Sequence, residues 1–289
     1  MAEVDIQHLQ TWVGRRQTSE ETLAPTPARA LAATLDHGRL PDVGDPLPPL
    51  WHWLYFTPLA PQSELGADGH PKLGSFMPPI PFPRRMWAGG RLIFLAPLLI
   101  GARAQRETEI LKVSLKSGQQ GALLFVTLRH RVTSDRGLAI EEEQDIVYRE
   151  PGDAPSAPAA PVGEAARAPA LWRDFARPEP TLLFRYSALT FNAHRIHYDL
   201  PYARDVEGYP GLVVHGPLTA TLLADRLAAH VRGRLASFSF RGQRPLFSGT
   251  PFALCGDRDR EQAESYRLWA ETPEGAVAMS ATASVEPAR

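Results

Sequence analysis

The sequence predicts an α+β protein built from two similar halves, each a curved antiparallel sheet wrapped around a helix. Each half places helical and loop-rich sequence first and its strands afterwards, and a stretch rich in alanine and proline separates the two halves. Helices that are segregated from strands along the chain are typical of α+β folds and not of doubly wound sheets.

Two helices and four strands are predicted in the first half, residues 1–150. Residues 4–13 and 19–35 have helical spacing, and Thr18 and Glu21 would form a capping box at the start of the second helix. Strands are predicted over residues 92–95, 107–116, 121–132 and 138–148, with turns at residues 117–118 and 135–137.

The second half, residues 171–289, contains the helix with the clearest signals. Pro217 in its first turn and Gly233 beyond its end predict a helix over residues 217–230, in which leucines recur at helical spacing. Three strands follow, over residues 236–241, 265–271 and 277–285. Residues 151–170, dominated by alanine and proline, are predicted to form an extended linker.

Composition narrows the function classes. The 289 residues carry a formal net charge of −1, so no overall positive field would attract nucleic acid or an anionic membrane. Cys255 is the only cysteine, which excludes an internal disulfide, and its apolar neighbours predict a buried position. No basic, apolar leader opens the chain and no apolar run approaches about 20 residues, so a cytoplasmic protein is expected.

The residues best suited to chemistry lie between positions 186 and 218. His194, His197 and His215 fall in this segment, and Gly216 with Pro217 can open a helix. Histidine moves protons near neutral pH, and a helix N-terminus supplies backbone N–H groups for a developing anion. The three histidines could instead hold a zinc ion, and each of them singly could be a structural hydrogen-bonding residue.

Residues 186–203 resemble the signature of the type-2 (R-specific) enoyl-CoA hydratases of the MaoC-like hot-dog family. His197 falls on the catalytic histidine of that signature. Residues 213–218 resemble the helix-opening segment of the family, in which a glycine amide, here Gly216, binds the thioester carbonyl. Five more positions fit the signature: Tyr186, Leu189, Thr190, Ile196 and Ala203.

The departures from this signature indicate a subgroup. Asn192 stands where the hydratases carry a catalytic aspartate, and Phe191, His194 and Arg195 replace Gly, Asn and Pro. The variant is similar to double hot-dog proteins that include mitochondrial 3-hydroxyacyl thioester dehydratases and bacterial hydratases of C4–C5 dicarboxylic acyl-CoAs. Two stretches of the first half, residues 44–56 and 83–91, resemble the N-terminal hot dog of that subgroup, a degenerate domain that accommodates the substrate.

The resemblance implies a double hot-dog hydro-lyase that uses neither a metal nor a redox cofactor. Addition of water to an enoyl thioester needs a base, an acid and a donor to the enolate oxygen. We expect His197 to move protons, Asn192 to orient the water or the imidazole, and Gly216 to stabilise the enolate. His194 is the alternative source of the missing acid–base group. Substrate contacts are expected from Tyr186, His194, Arg195, His215, Arg85, Arg91 and Trp87.

The function predicted from these features is the reversible hydration of a 2-enoyl-CoA to a 3-hydroxyacyl-CoA. The arginines favour a dicarboxylic substrate of the mesaconyl-C4-CoA or itaconyl-CoA type, because guanidinium groups pair with a distal carboxylate. One alternative is an acyl-carrier-protein dehydratase of fatty-acid synthesis. Another is a non-catalytic acyl-CoA-binding module, in which Asn192 marks lost activity. Apart from the acyl-CoA no partner is expected, although two chains could pair as a homodimer.

Overall fold

The structure, a computed structural model, describes residues 4–118, 121–150 and 170–287. The predicted linker, residues 151–170, therefore lies outside the described residues except for Ala170. The predicted division of the chain into a first domain, a linker and a second domain remains a prediction.

In the part of the chain that the structure describes, ten antiparallel strands form one continuous sheet in the order β1-β3-β4-β5-β2-β7-β10-β9-β8-β6. The halves meet where β2 pairs with β7, from Gly89 opposite Arg241 to Ile93 opposite Ser237. The two expected sheets are thus joined edge to edge. The strands are β1 (Arg16–Thr22), β2 (Arg84–Phe94), β3 (Arg103–Gly118), β4 (Gly121–Ser134), β5 (Gly137–Arg149), β6 (Trp172–Ala176), β7 (Arg234–Gly242), β8 (Phe252–Arg258), β9 (Ser265–Glu271) and β10 (Val277–Glu286).

Within the described residues, four α-helices accompany the sheet: α1 (Ile6–Gln10), α2 (Pro25–Thr34), α3 (Pro180–Leu189) and α4 (Gly216–His230). Helix α4 confirms the predicted helix of the second half and packs on β7 to β10 and on β2. It is buried on most of its circumference, as expected for a helix enclosed by a curved sheet. Short helical turns cover Trp51–Leu54, Gln62–Glu64, Arg195–His197 and Tyr202–Val206.

One apolar core crosses the boundary between the halves. Leu31 of α2, Leu183 of α3 and Leu223 of α4 belong to the same buried cluster as Leu92 of β2 and Phe238 of β7. Each fully buried side chain of this size contributes about 1.5–3 kcal/mol. The halves therefore stabilise each other, and the sheet and core together fit the α+β double hot-dog prediction.

The predicted start of the second helix is wrong. Thr18 and Glu21 do not cap a helix but lie in β1, where Thr18 stands opposite Glu107 of β3. The strand pairing satisfies their backbone groups, so no cap is needed. Helix α2 begins at Pro25, whose fixed φ suits a first-turn position. The predicted turn at residues 117–118 also lies within β3.

Three elements escaped prediction from the sequence: β6, β8 and α3. Strand β8 is buried from Phe252 to Gly256, so it lacks the polar alternation that marks a strand exposed on one face. Cys255 lies in this strand and is buried, which confirms its predicted position. None of the helices in the described ranges is long and apolar enough to cross a membrane.

Candidate active site

Three ring side chains, those of Tyr186, His197 and His215, pack together at the start of α4 in the predicted catalytic segment. His215 immediately precedes α4, and the ring of His197 stacks on it with 3.6 Å between centroids. The Tyr186 ring meets His215 edge-on at 5.0 Å, and Ser187 Oγ lies 2.8 Å from His215 Nε2. These contacts bring His197 to the N-terminal end of α4, as the sequence predicts.

The tautomer of His197 is fixed by a backbone carbonyl. Nδ1 lies 2.7 Å from the Val213 oxygen, so this nitrogen donates its hydrogen and Nε2 is left as an acceptor. The side chain is buried, and burial lowers the pKa of His197 to about 4 despite the opposing bond to Val213. His197 is therefore a neutral imidazole at pH 7 and is suited to accept a proton.

Asn192 and His194 are held together by the backbone. The Asn192 Oδ1 atom accepts a hydrogen bond of 3.0 Å from the His194 amide, and the NH₂ group of Asn192 can donate to other partners. His194 is also buried, and burial followed by the charges of His70 and His197 lowers its pKa. Its ring meets that of His197 edge-on at 5.4 Å, so His194 lines the site.

The loop around Asp68 contributes two groups that sequence reasoning missed. Glu64 to Lys72 fold into a small hairpin, and its tip accepts hydrogen bonds from the backbone and side chain of Arg195. His70 Nδ1 lies 2.8 Å from Asp68 Oδ2, and the His70 ring is 4.3 Å from that of His194. The one local signal for this site was a polar turn, Asp68-Gly69-His70, with chemistry-bearing residues on both sides of a glycine.

Gly69 explains why the hairpin can approach so closely. Its φ is +91°, and a Cβ at this position would lie 1.8 Å from the Ala193 carbonyl oxygen. Only glycine combines this backbone conformation with this lack of volume. The hairpin of the first half is therefore docked directly on the catalytic segment of the second.

For both Asp68 and His70, burial and the charge of the partner shift the pKa in opposite directions. Burial would raise the pKa of Asp68, but the hydrogen bond and charge of His70 lower it overall. Burial lowers the pKa of His70 to about 4, partly offset by Asp68 and reinforced by Arg85. The resting pair is thus a carboxylate and a neutral imidazole, with the nearby Arg85 cation acting on both.

The predicted arginines separate into three environments. Arg85 of β2 lies beside Asp68, His70 and His194 and forms no ion pair within the described ranges. Arg195 is paired with Asp199 at 2.7 Å. Arg91 lies on the outer face of the sheet, bonded to Glu143 and Asp145, so the structure does not bring this predicted contact to the site. The type of residue 91 is evident from the sequence, but the face of β2 on which its side chain lies is not.

Gly216 and Trp87 meet at the start of α4. A Cβ on Gly216 would lie 3.7 Å from the Trp87 carbonyl oxygen, an ordinary van der Waals distance. The first N–H groups of a helix have no partner within the helix and carry the positive end of its dipole. The Trp87 ring itself packs against Trp53 and Phe240 at 4.8 and 5.9 Å. Trp87 thus borders the predicted oxyanion position with its backbone and the core with its ring.

The three histidines considered for zinc do not converge. His197 uses Nδ1 on Val213 and His215 uses Nε2 on Ser187, while their rings lie face to face. A different set, Asp68, His70 and His194, has ligand atoms within 4.8 Å of one another and is the one group in the described chain spaced to hold a metal ion. Two members of this set, Asp68 and His70, are joined to each other by a hydrogen bond between Oδ2 and Nδ1.

A cleft of about 710 Å³ lies at the opposite, C-terminal end of α4. Leu47, Phe94, Leu227 and Leu235 line it, and none of the predicted site residues does. The candidate site is therefore identified by its buried histidines, carboxylate and helix start, and not by this cleft.

Comparison with known proteins assigns the chain to a family. Residues 50–248 match the model of the hydroxyacyl-thioester dehydratase type 2 family. The chain is 52% identical to a mesaconyl-C(4)-CoA hydratase of Chloroflexus aurantiacus, over 94% of this chain and 95% of the relative. It is 29% identical to the mitochondrial hydroxyacyl-thioester dehydratase type 2 of Schizosaccharomyces pombe, over 72% and 77% of the two chains.

Structural similarity agrees on the fold. A Mycobacterium tuberculosis protein described as a double hot dog superposes with a TM-score of 0.56 at 16% identity, over 94% of this chain and 96% of the other. The match covers both halves and the sheet that joins them. Together these findings show that the chain belongs to the hydroxyacyl-thioester dehydratase type 2 family of hydro-lyases, with a double hot-dog fold.

Proposed function

We propose that this protein hydrates a C4–C5 dicarboxylic 2-enoyl-CoA, of the mesaconyl-C4-CoA or itaconyl-CoA type, reversibly to the 3-hydroxyacyl-CoA. The observation that carries the proposal is the juxtaposition of a neutral histidine, His197, with the N-terminus of α4 at Gly216. A base for water and a donor for an enolate oxygen are the two things that this addition requires. The 52% identity to a mesaconyl-C(4)-CoA hydratase supports this substrate class.

The proposed roles follow from the geometry. His197 Nε2 receives a hydrogen bond from the attacking water and promotes removal of its proton, while the N–H of Gly216 binds the thioester oxygen as negative charge develops there. One such donor contributes about 3 kcal/mol of barrier lowering. Asn192 can donate hydrogen bonds from its NH₂ group but cannot exchange a proton, and it therefore orients the water or the substrate. The ring of His215 stacks on that of His197 and is itself packed against Tyr186, so these two residues hold His197 in place.

Arg85 supports a dicarboxylic substrate over a simple enoyl-CoA. It is the predicted arginine that lies among the site histidines without an ion pair in the described residues, whereas Arg91 and Arg195 are already paired with carboxylates. A guanidinium in a largely buried site binds a carboxylate strongly, because few waters compete for it. We therefore assign the distal carboxylate of the substrate to Arg85.

The alternative function is dehydration of a 3-hydroxyacyl group on an acyl carrier protein. The family description and the yeast relative support thioester dehydration, which is the same reaction in reverse. A non-catalytic acyl-CoA-binding module is disfavoured, because the relatives are named as hydratases and dehydratases.

The remaining parts of the proposal concern cofactors and surroundings. We propose that the reaction needs no metal or redox cofactor, because proton transfer and enolate stabilisation are supplied by side chains and backbone. Coenzyme A is part of the substrate, and nucleic acid and membrane are not expected partners. A homodimer and a cytoplasmic location stay proposals, to be tested by light scattering and by cell fractionation.

A hydration assay separates these alternatives. The purified protein is given mesaconyl-C4-CoA, itaconyl-CoA and crotonyl-CoA, and loss of the enoyl absorbance is followed. We expect kcat/KM to be higher for the dicarboxylic substrates, and Arg85→Gln to remove that preference while crotonyl-CoA hydration persists. Equal rates on all three in the wild type would contradict the dicarboxylic assignment. Turnover of only carrier-bound 3-hydroxyacyl groups would establish the alternative.

A further inference from the structure

Asn192 stands where the signature of the type-2 enoyl-CoA hydratases has an aspartate, yet a carboxylate is present nearby. Asp68 reaches the catalytic segment from the first half of the chain, and its main-chain oxygen accepts a 2.9 Å hydrogen bond from the Arg195 amide. Its side chain bonds Nδ1 of His70 at 2.8 Å. Side-chain exposure is only 21% for Asp68 and 17% for His70, so the pair is largely shielded from water.

We propose that His70, oriented by Asp68, is the second acid–base residue of the hydratase site and substitutes for the carboxylate that Asn192 lacks. The inference rests on the proposed function and deepens it: His70 carries the transferred proton, while His197 accepts a hydrogen bond from the attacking water and orients it. His70 would contact the reacting water, whereas Asp68 acts through His70 as a positioning residue.

The hydrogen-bond pattern selects the reactive atom of His70. Because Nδ1 donates its hydrogen to Asp68, Nε2 is an acceptor, and it has no hydrogen-bond partner among the described residues. His197 presents the same tautomer, with Nδ1 donating to Val213 and Nε2 open. Both rings contact the ring of His194, at centroid distances of 4.3 Å for His70 and 5.4 Å for His197, so the two acceptor nitrogens belong to the same cluster of rings.

The position of the transferred proton follows from the neighbouring charges. His197 Nδ1 contacts the Val213 oxygen, and His215 Nε2 contacts Ser187 Oγ. Neither these two histidines nor His194 has a carboxylate partner in the described chain. A proton taken up by any of the three would therefore create a buried cation without a carboxylate in contact. On His70 the same cation forms an ion pair with Asp68. The opposing groups that face His70 are the Arg85 cation and the neutral His194 and His197. A proton on His70 is therefore stabilised by a carboxylate in direct contact, which His194, His197 and His215 lack in the described chain.

The resulting step balances. His70 Nε2 takes one proton from water, the water oxygen bonds to C3 of the enoyl group, and the C2–C3 π electrons move into the thioester, whose oxygen becomes the enolate at Gly216. The enolate then reforms its carbonyl as C2 takes the proton from the His70 imidazolium. One water is added, and no oxidant or reductant is needed.

The test compares His70→Gln and Asp68→Asn with a matched pair far from the site. His230 and Asp174 form a similar bond of 2.9 Å at the surface, so His230→Gln and Asp174→Asn control for loss of a histidine–carboxylate contact. We expect His70→Gln to lower kcat on the best enoyl-CoA substrate by ~100-fold or more, the lower range for acid–base catalysis. Asp68→Asn should lower it by ~10-fold or more, because an amide can also donate and so favours the wrong tautomer of His70. The two control variants should keep wild-type kcat.

A rescue experiment separates catalysis from structure. Asn192→Asp restores a carboxylate at the family position, so it should raise kcat of His70→Gln by ~10-fold or more while it does little for His197→Ala. The pH profile should also change, because loss of the Asp68 charge makes His70 harder to protonate and moves the acid limb of kcat/KM to lower pH.

The outcomes are distinguishable from failure of the proposed function. If the wild type hydrates none of the three enoyl-CoAs, the proposed function fails. If the wild type is active and folded His70→Gln keeps kcat within about threefold, the assignment of His70 is overturned. Loss of activity on chelation with recovery by zinc would overturn it as well and would make Asp68, His70 and His194 metal ligands.

Discussion

Replacing Gly69 by alanine tests whether the hairpin of the first half must dock on the catalytic segment. The added Cβ would lie 1.8 Å from the Ala193 carbonyl oxygen, a backbone atom that cannot rotate away. The φ of +91° adds strain for any residue with a side chain. The substitution should therefore push the hairpin, with Asp68 and His70, away from His194.

A matched glycine separates the two effects. Gly74 has a φ of +104°, but the nearest atom to its Cβ would be Pro79 Cβ at an ordinary 3.8 Å. Gly74→Ala should lower the free energy of unfolding by about 1–2 kcal/mol through backbone strain alone. Gly69→Ala carries the same strain plus the overlap, for which about 1–3 kcal/mol is typical, giving a loss of roughly 2–5 kcal/mol.

Urea unfolding and hydratase kinetics on the same samples provide the assay. At temperatures where both variants are folded, Gly69→Ala should lower kcat by ~100-fold, the effect of a displacement of about 1 Å in a catalytic group, whereas Gly74→Ala should stay near wild type. Equal stabilities and equal kcat for the two variants would refute the inference that Gly69 couples the hairpin to the site.

Three further predictions concern the site as a whole. In steady-state kinetics, His197→Ala should lower kcat by at least ~100-fold, Asn192→Ala by less, and His194→Ala by no more than about tenfold. Full activity in His197→Ala would show that the chemistry takes place elsewhere in the chain. Activity should survive exhaustive EDTA treatment, and loss of turnover that zinc restores would contradict a metal-free reaction. Burial lowers the pKa values of His70, His130 and His197 to about 4, so the unfolded chain binds more protons than the native chain between about pH 6.5 and 4. The free energy of unfolding should thus be highest above pH 6.5 and fall on acidification, by up to about 1.4 kcal/mol per pH unit for each histidine. Urea titrations at pH 7, 6 and 5 measure this dependence. A flat profile would show that these histidines are not protonated on unfolding.

The sequence by itself determined the features that depend on local pattern. The helix at Gly216–His230 follows from the proline, the leucine spacing and the terminal glycine, and the strand Ser265–Glu271 was predicted with the bounds that the structure shows. His197 and Gly216 were identified because both lie in one short segment, residues 186–218, that resembles the family signature. Polar side chains at residues 18–21 gave a misleading cap signal, because a capping box and an edge strand share the same residue types.

Only the tertiary structure decided which distant residues share the site. Asp68 and His70 lie more than a hundred residues before His194, and no local period links them. The approach of Asp68 and His70 to His194 depends on the docking of the hairpin through Gly69. The outward direction of the Arg91 side chain depends on the register of β2 against β5. Helical and strand periods report which face of an element is apolar, whereas long-range packing sets which elements meet. The sequence therefore indicated the family and the proposed acid–base histidine, His197, whereas only the folded chain revealed the Asp68–His70 pair beside His194.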